Sequence, residues 1–435
     1  MNLRRIGFWT AFIFMLISVG QIHEMIPGLK YLKLGTITTT ILYILVIVEL
    51  RNMKWSSVVI WRLLFFLAML PGLIFGFNRG AIFIGVKNEA SLVLAFFLGG
   101  ILFFRTMNDL RKIQSAFIVL AAALSLWAIT HSGRGPGLLG DENDVALVMV
   151  MLLPFPFFKL LEKLSLRGFV IYLLIFFCTL AGIASTLSRG GMVGTLVVLA
   201  ACWLKSRYKI STIVVLFLLV AVVVVFGPNN ESSRKGVSLV SEFQTISDTH
   251  ETTADERLFY WGLSWKMFEA RPIFGVGARA WGDAAWSGLV NTGGRKFSNM
   301  TPHSIYFQLI SELGLAGIIP WLGIVLSCFF GFRYLLPENL NRQMGVELLH
   351  NTDPLFVKQL EDRRKFFSNF GLALGIGLLG YLASGGFLSV LFYAVFTTFV
   401  CVLQAARDTW DRELQILKFA NTRKEAIPAT AEPSG

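Results

Sequence analysis

The chain has 435 residues, of which 55% are hydrophobic and only 15% charged, and its formal net charge is +12. A soluble globular domain carries about 25% charged residues, so an ordinary water-soluble enzyme is excluded. Excess positive charge on so apolar a chain belongs to the positive-inside bias of membrane loops and not to nucleic-acid binding.

The opening Met1-Asn2-Leu3-Arg4-Arg5 and the apolar run behind it resemble a signal peptide. No clean small-x-small site follows, so the segment reads as an uncleaved anchor. Twelve apolar spans are predicted, at 6–22, 31–50, 56–77, 81–104, 112–130, 144–160, 168–187, 190–206, 209–227, 304–334, 366–382 and 385–405. Most approach the ~20 residues that cross about 30 Å of hydrocarbon as a helix. The runs are continuous rather than alternating, and a backbone in lipid must satisfy its own hydrogen bonds, so helices are required. The fold class is therefore an all-α membrane protein of about 12 transmembrane helices with one large helical loop. Span 304–334 is too long for a simple crossing; it is expected to start as a surface helix and turn inward near Gly314 or Gly317.

An amino terminus in the cytoplasm puts Arg4, Arg5, Lys54, Arg105, Arg111, Lys112, Arg363 and Arg364 on one side, with the carboxyl terminus. That side is the cytoplasm by the positive-inside rule. The organisation that follows is 1–227, membrane helices 1–9; 228–303, a periplasmic loop with interfacial helices; 304–405, helices 10–12; and 406–435, a partly disordered cytoplasmic tail. Arg189, the large loop, His303 and the segment from His131 to Asp144 all fall on the periplasmic face of a bacterial inner membrane. A site there has no access to ATP or nucleotide sugars, so its substrate must arrive activated, most simply on a lipid carrier.

Four polar groups interrupt the apolar pattern. Ser188-Arg189-Gly190-Gly191 joins two spans; its guanidinium suits a phosphate, its glycines suit an open turn near a ligand, and the alternative is an arginine snorkelling to headgroups. Thr253-Ala254-Asp255-Glu256 fits a capping box that places Arg257 in the first turns of a helix. Leu258, Trp261, Trp265 and Phe268 form one apolar stripe on that helix, and Arg271-Pro272 ends it. The helix amino terminus favours an anion; the alternative is pairing of Arg257 with Asp255 or Glu256. In Thr301-Pro302-His303-Ser304, Thr301 is expected to cap and Pro302 to take the first helical position, leaving a neutral imidazole fit for a general base; the alternative is a capping or interfacial histidine. Gly140-Asp141-Glu142-Asn143-Asp144 is expected to cap a helix from Val145, the alternative being that it binds sugar hydroxyls; Arg134 nearby could touch phosphate, the alternative being a solvated loop arginine. Cys178, Cys202, Cys328 and Cys401 lie in apolar runs as small buried hydrophobes, and His23, His131, His250 and His350 carry no comparable context. Arg62 and Lys87 stand inside predicted spans.

These motifs resemble the bacterial O-antigen ligase and O-antigen polymerase superfamily. The resemblance rests on Ser188-Arg189-Gly190-Gly191; on Glu256-Arg257, Trp265 and Arg271-Pro272-Ile273-Phe274-Gly275-Val276-Gly277; and on His303-Ser304-Ile305-Tyr306 and Glu312-Leu313-Gly314-Leu315-Ala316-Gly317. It implies a metal-independent inverting glycosyltransferase of C-type architecture, with no cofactor. The donor would be a glycan on undecaprenyl diphosphate and the acceptor a glycolipid such as lipid A core, or a polysaccharide. By the same resemblance Arg189 and Arg257 hold the diphosphate and His303 serves the acceptor hydroxyl, with Ser188, Tyr260 and Arg271 as further diphosphate- or substrate-binding residues. A ligase moves a finished chain and a polymerase joins repeat units. A flippase for lipid-linked oligosaccharide is the alternative from a different class, and a noncatalytic scaffold a third.

Overall fold

The computed structural model describes residues 3–206, 209, 252–294, 301–349 and 353–425, apart from the side chains of 252–254, 346, 347, 349 and 423–425. Among these residues every regular element is a helix. Setting aside one-turn pieces, they are α1 (Leu3–Gly20), α2 (Leu34–Glu49), α3 (Ser57–Phe75), α4 (Arg79–Phe103), α5 (Met107–Thr130), α6 (Glu142–Leu160), α7 (Leu166–Ser185), α8 (Arg189–Lys205), α9 (Thr252–Ala270), α10 (Trp281–Trp286), α11 (Ile305–Tyr334), α12 (Pro337–Leu349), α13 (Pro354–Gly385) and α14 (Ala394–Glu425). Nine described helices are long and apolar enough to cross a bilayer. The chain is an all-α, multi-pass membrane protein. The predicted span 209–227 lies outside the described residues except for Lys209.

Polar residues set the helix ends. Thr106 and Asp109 form a reciprocal capping box at the start of α5, Ser165 accepts from the Gly168 amide before α7, and Asp353 caps α13. Between helices, small residues let backbones approach. A Cβ on Gly182 of α7 would lie 2.6 Å from that of Ser125 on α5, and one on Gly194 of α8 would lie 1.9 Å from the Ser384 hydroxyl on α13. α6 is the most enclosed of the candidate spans and packs against α5, α8 and α13.

The basic residues predicted to share the cytoplasmic side meet at one end of the bundle. Arg4 pairs with Asp109 at 2.9 Å, Lys54 with Asp408 at 2.9 Å, and Arg363 with Glu413 at 2.9 Å. From that end α5 runs its 24 residues, about 36 Å at 1.5 Å per residue, to a turn in which Gly133 abuts Ser185 and Thr186. The Ser188-Arg189 junction is thus at the opposite end from the ion pairs.

Two sequence expectations are corrected at α13 and α14. The span expected at 366–382 belongs to a longer helix that starts at Pro354, and the span expected at 385–405 is not one helix. Residues 386–393 form an irregular corner, and α14 starts at Ala394. Irregular backbone at membrane depth is tolerated where protein encloses it. Here the Tyr381 hydroxyl donates to the Val390 carbonyl at 3.1 Å, and the Leu391 amide donates to Gln308 Oε1 at 3.4 Å.

Arg62 and Lys87 resolve differently. Arg62, on α3, is buried; it pairs with Glu89 of α4 and donates to Thr397 Oγ1 of α14 at 2.8 Å. Lys87 is exposed on the outside of the bundle.

Candidate active site

The end of α13 and the start of the corner behind it, residues 382–388, are where the segments carrying Arg189, Arg257 and His303 meet. α8 starts at Arg189 with Ser188 as its cap: the Ser188 Oγ accepts from the Gly191 amide at 3.1 Å and donates to Asn143 Oδ1 at 2.6 Å. The glycines behind Arg189 do not make the open turn expected of them. Both are helical, and they serve packing. A Cβ on Gly191 would lie 2.8 Å from that of Ala146, and one on Gly190 would lie 3.4 Å from Leu388 and Phe387. The turn itself is made by Leu187, at φ +52°, a region a bulky residue seldom adopts.

Arg257 reaches the same corner from α9, with its guanidinium carbon 6.0 Å from the centre of the Phe387 ring. α9 is described from Thr252, which puts Arg257 near its start as expected; Thr253 lies within the helix rather than at the cap position expected of it, and its side chain is outside the described residues. The predicted apolar stripe divides. Trp261 stacks on Phe307 at 5.0 Å, whereas Leu258 and Trp265 are exposed. The face actually buried holds Tyr260, Leu263, Ser264 and Met267, packed on Trp281 of α10.

His303 completes the group. It does not occupy the helical position expected from Pro302. α11 starts at Ile305 with Ser304 before it, and His303 sits in the left-handed region at φ +52°. Such strain persists only where surroundings impose it, and it concentrates at functional sites. The imposing contacts are visible. Trp261 Nε1 donates to the Pro302 carbonyl at 3.0 Å, Ile305 packs into the space left by Gly385, and the Tyr306 hydroxyl donates to the Leu382 carbonyl at 2.8 Å. The imidazole is 6.4 Å from the Tyr260 ring, centre to centre. Burial first, and the positive charge of Arg257 second, hold the His303 pKa below its ordinary value, while Asp141 and Glu256 pull weakly the other way. The neutral ring is the favoured form, the same outcome as the sequence expectation but from a different cause.

The remaining predicted residues have other settings. Tyr260 is a buried packing residue beside His303. Arg271 lies at the far end of α9, about 21 Å along the axis from Arg257; it donates to the Phe75 carbonyl and covers the Phe77 ring at 4.6 Å. It is not brought to the 382–388 corner. Asp141 caps α6 as expected, through the Asn143 amide at 2.8 Å. Arg134, in the loop before α6, pairs with Glu142 at 3.4 Å rather than standing open to a phosphate. His250 and His350 lie outside the described residues.

Three contacts escaped the sequence reading. Asn143 ties α6 to Ser188, Tyr393 donates to Asp144, and the Phe387-Leu388 corner touches both arginine-bearing helices. A fourth feature explains two motifs at once. The segment 271–277 plugs into a break in α11 at Gly314 (φ +56°, ψ −154°). Pro272 and Ile273 carbonyls accept from Leu315 and Ala316 at 2.8 and 2.9 Å, and Ser311 and Glu312 carbonyls accept from Val276 and Gly277 at 2.9 and 3.0 Å. The buried Glu312 carboxylate accepts from the Arg279 amide at 2.8 Å. This interlock fixes α9, and with it Arg257, against the helix that follows His303.

A search of curated proteins finds no match. Residues 174–322 match the family model for O-antigen ligase. That stretch takes in Arg189, Arg257 and His303 together with the 271–277 plug and the Gly314 break, and through it the chain carries a domain of the O-antigen ligase and O-antigen polymerase superfamily.

Proposed function

We propose that the protein is an O-antigen ligase-type glycosyltransferase, moving a glycan en bloc from undecaprenyl diphosphate to an acceptor hydroxyl at the periplasmic face of the bacterial inner membrane. The acceptor would be lipid A core or a similar glycolipid. The observation that carries this reading is the meeting of two arginine-bearing helices and the turn of a strained histidine at one half-buried corner.

In the proposed step, the acceptor oxygen bonds to the anomeric carbon as the bond from that carbon to the diphosphate oxygen breaks, with inversion. The acceptor proton passes to the neutral His303 imidazole. The negative charge left on the diphosphate is taken up by Arg189 and Arg257, whose planar donor sets match phosphate oxygens. Ser188 fixes the start of α8 and Tyr260 backs the His303 ring, so both position rather than react. Arg271 braces α9 from its far end.

A groove of about 310 Å³ supports a lipid-borne donor. It lies between α8, α11 and α13, lined by Ala201, Leu204, Val325, Phe329 and Leu379 among others. Ala201 is about 18 Å along α8 from Arg189, a depth suited to the middle of an isoprenoid chain whose diphosphate is held at the helix start.

Purified protein in lipid nanodiscs, given lipid-linked glycan and acceptor, should release free undecaprenyl diphosphate in step with glycosylated acceptor. Reconstituted in vesicles, a flippase would instead move the lipid-linked glycan across the bilayer and release none. Product formed by extending the donor glycan itself would mark a polymerase.

A further inference from the structure

The 271–277 plug carries an apolar surface that the proposed chemistry does not use. Ile273 and Phe274 are 59% and 41% exposed, and beside them Ile74 and Phe75 are 64% and 58% exposed. The two pairs form one surface: the Phe75 and Phe274 rings stack at 6.5 Å and 12°, and Arg271 bridges them by donating to the Phe75 carbonyl. Large apolar side chains clustered on a surface mark an interaction site.

The bilayer is the occupant that the surroundings select. Ile74 and Phe75 are the last residues of the candidate span Ser57–Phe75, so their depth is set at a bilayer edge. Ile273 is hydrogen-bonded through its carbonyl to Ala316, in the first turn of α11 beyond the Gly314 break. From there Leu315, Ile319, Leu322 and Leu326 run down α11 as an exposed apolar stripe, and Ile60, Leu64 and Leu67 do the same on α3. The cluster thus continues two lipid-facing stripes upward without a gap. Arg271, at its rim, has the long stem and charged head that suit the headgroup level.

We propose that Ile74, Phe75, Ile273 and Phe274 form a single wedge inserted at the headgroup–acyl boundary of the bilayer. Apolar faces at that boundary sink about 5–10 Å. Because α9 is tied to this wedge at its Arg271 end and to the His303 turn at its Trp261 end, the wedge sets the height of Arg257 above the membrane.

The test uses full-length protein in nanodiscs of phosphatidylethanolamine and phosphatidylglycerol, spin-labelled separately at Phe274→Cys and Ile74→Cys, with Asn291→Cys as an exposed reference away from the wedge. Collision rates with oxygen and with a water-soluble nickel chelate are compared. Oxygen collisions several-fold above nickel at 274 and 74, with the order reversed at 291, are expected. Nickel access at both sites equal to that at 291 would overturn the wedge, and so would exclusion of both reagents, which would indicate a protein contact. Each labelled protein is checked for an unchanged melting temperature, and either site alone decides the question if the other label disturbs the fold. The measurement needs no substrate, so it stands or falls apart from the proposed glycosyl transfer.

Discussion

Trp261 donates its indole N–H to the carbonyl oxygen of Pro302 at 3.0 Å. This bond joins the helix that presents Arg257 to the turn that presents His303, across a stretch of 41 residues. Trp261→Phe keeps an aromatic ring to stack on Phe307 but removes the donor, leaving the Pro302 carbonyl to find another partner. The expected loss is about 1 kcal/mol, read as a several-fold drop in transfer rate with little change in melting temperature. An unchanged rate would show that the His303 turn is held by its other contacts alone.

His303 should govern the pH profile. Its folded pKa lies below the ordinary value, so between those two values the unfolded chain binds more protons and stability rises with pH. At neutral pH the base form is present. The acid limb of kcat/KM, which reports the free enzyme, should therefore fall below pH 6.5. The limb of kcat should move upward, because bound diphosphate favours imidazolium. Arg257→Ala, by removing the second cause of the depression, should raise the His303 pKa in an imidazole NMR titration. A titration unmoved by that substitution would separate the two residues.

The Gly314 break should be intolerant. Gly314 has a backbone conformation open to glycine almost alone, and a Cβ there would lie 2.5 Å from the Pro272 carbonyl oxygen. Gly314→Ala should cost about 1–3 kcal/mol, seen as a lower melting temperature in detergent and as loss of activity through detachment of the 271–277 plug. Gly262→Ala, inside α9 where nothing lies within 4 Å, should leave activity intact and raise stability slightly, by about 0.5–1 kcal/mol.

Arg62 and Glu89 offer a test of the membrane core. Their side chains are each only 3% exposed, so removing one partner strands a buried charge. Arg62→Leu alone should destabilise by about 3–5 kcal/mol, while replacing both by leucine should recover most of that loss. The check is the thermal unfolding of Arg62→Leu, Glu89→Leu and the double variant.

The parts of this protein legible in its sequence are those set by the bilayer. Arg189, Arg257 and His303 stand out because charge and apolar runs meet at them, and the break in α11 falls at one of the two glycines named for it. What was missed depends on partners distant in the chain. The stretch from Gly386 to Tyr393 reads as more membrane helix because it is largely apolar; Tyr381 and Gln308, from α13 and α11, hold its irregular backbone at Val390 and Leu391. His303 reads as a helix-start residue because Pro302 precedes it, yet Trp261 captures the Pro302 carbonyl and the helix begins two residues later than His303. Gly190 and Gly191 read as a turn, but the facing residues Leu388 and Ala146 show that their missing side chains allow close packing.

Shared grip on one diphosphate is the central claim, and a double-mutant cycle on donor turnover tests it most directly. Arg189→Ala and Arg257→Ala should each lower kcat by about 10²–10³-fold. Because both arginines would act on the same leaving group, the double variant should fall clearly short of the product of the two single losses. Fully multiplicative losses, or near-normal turnover in either folded single variant, would contradict a common site.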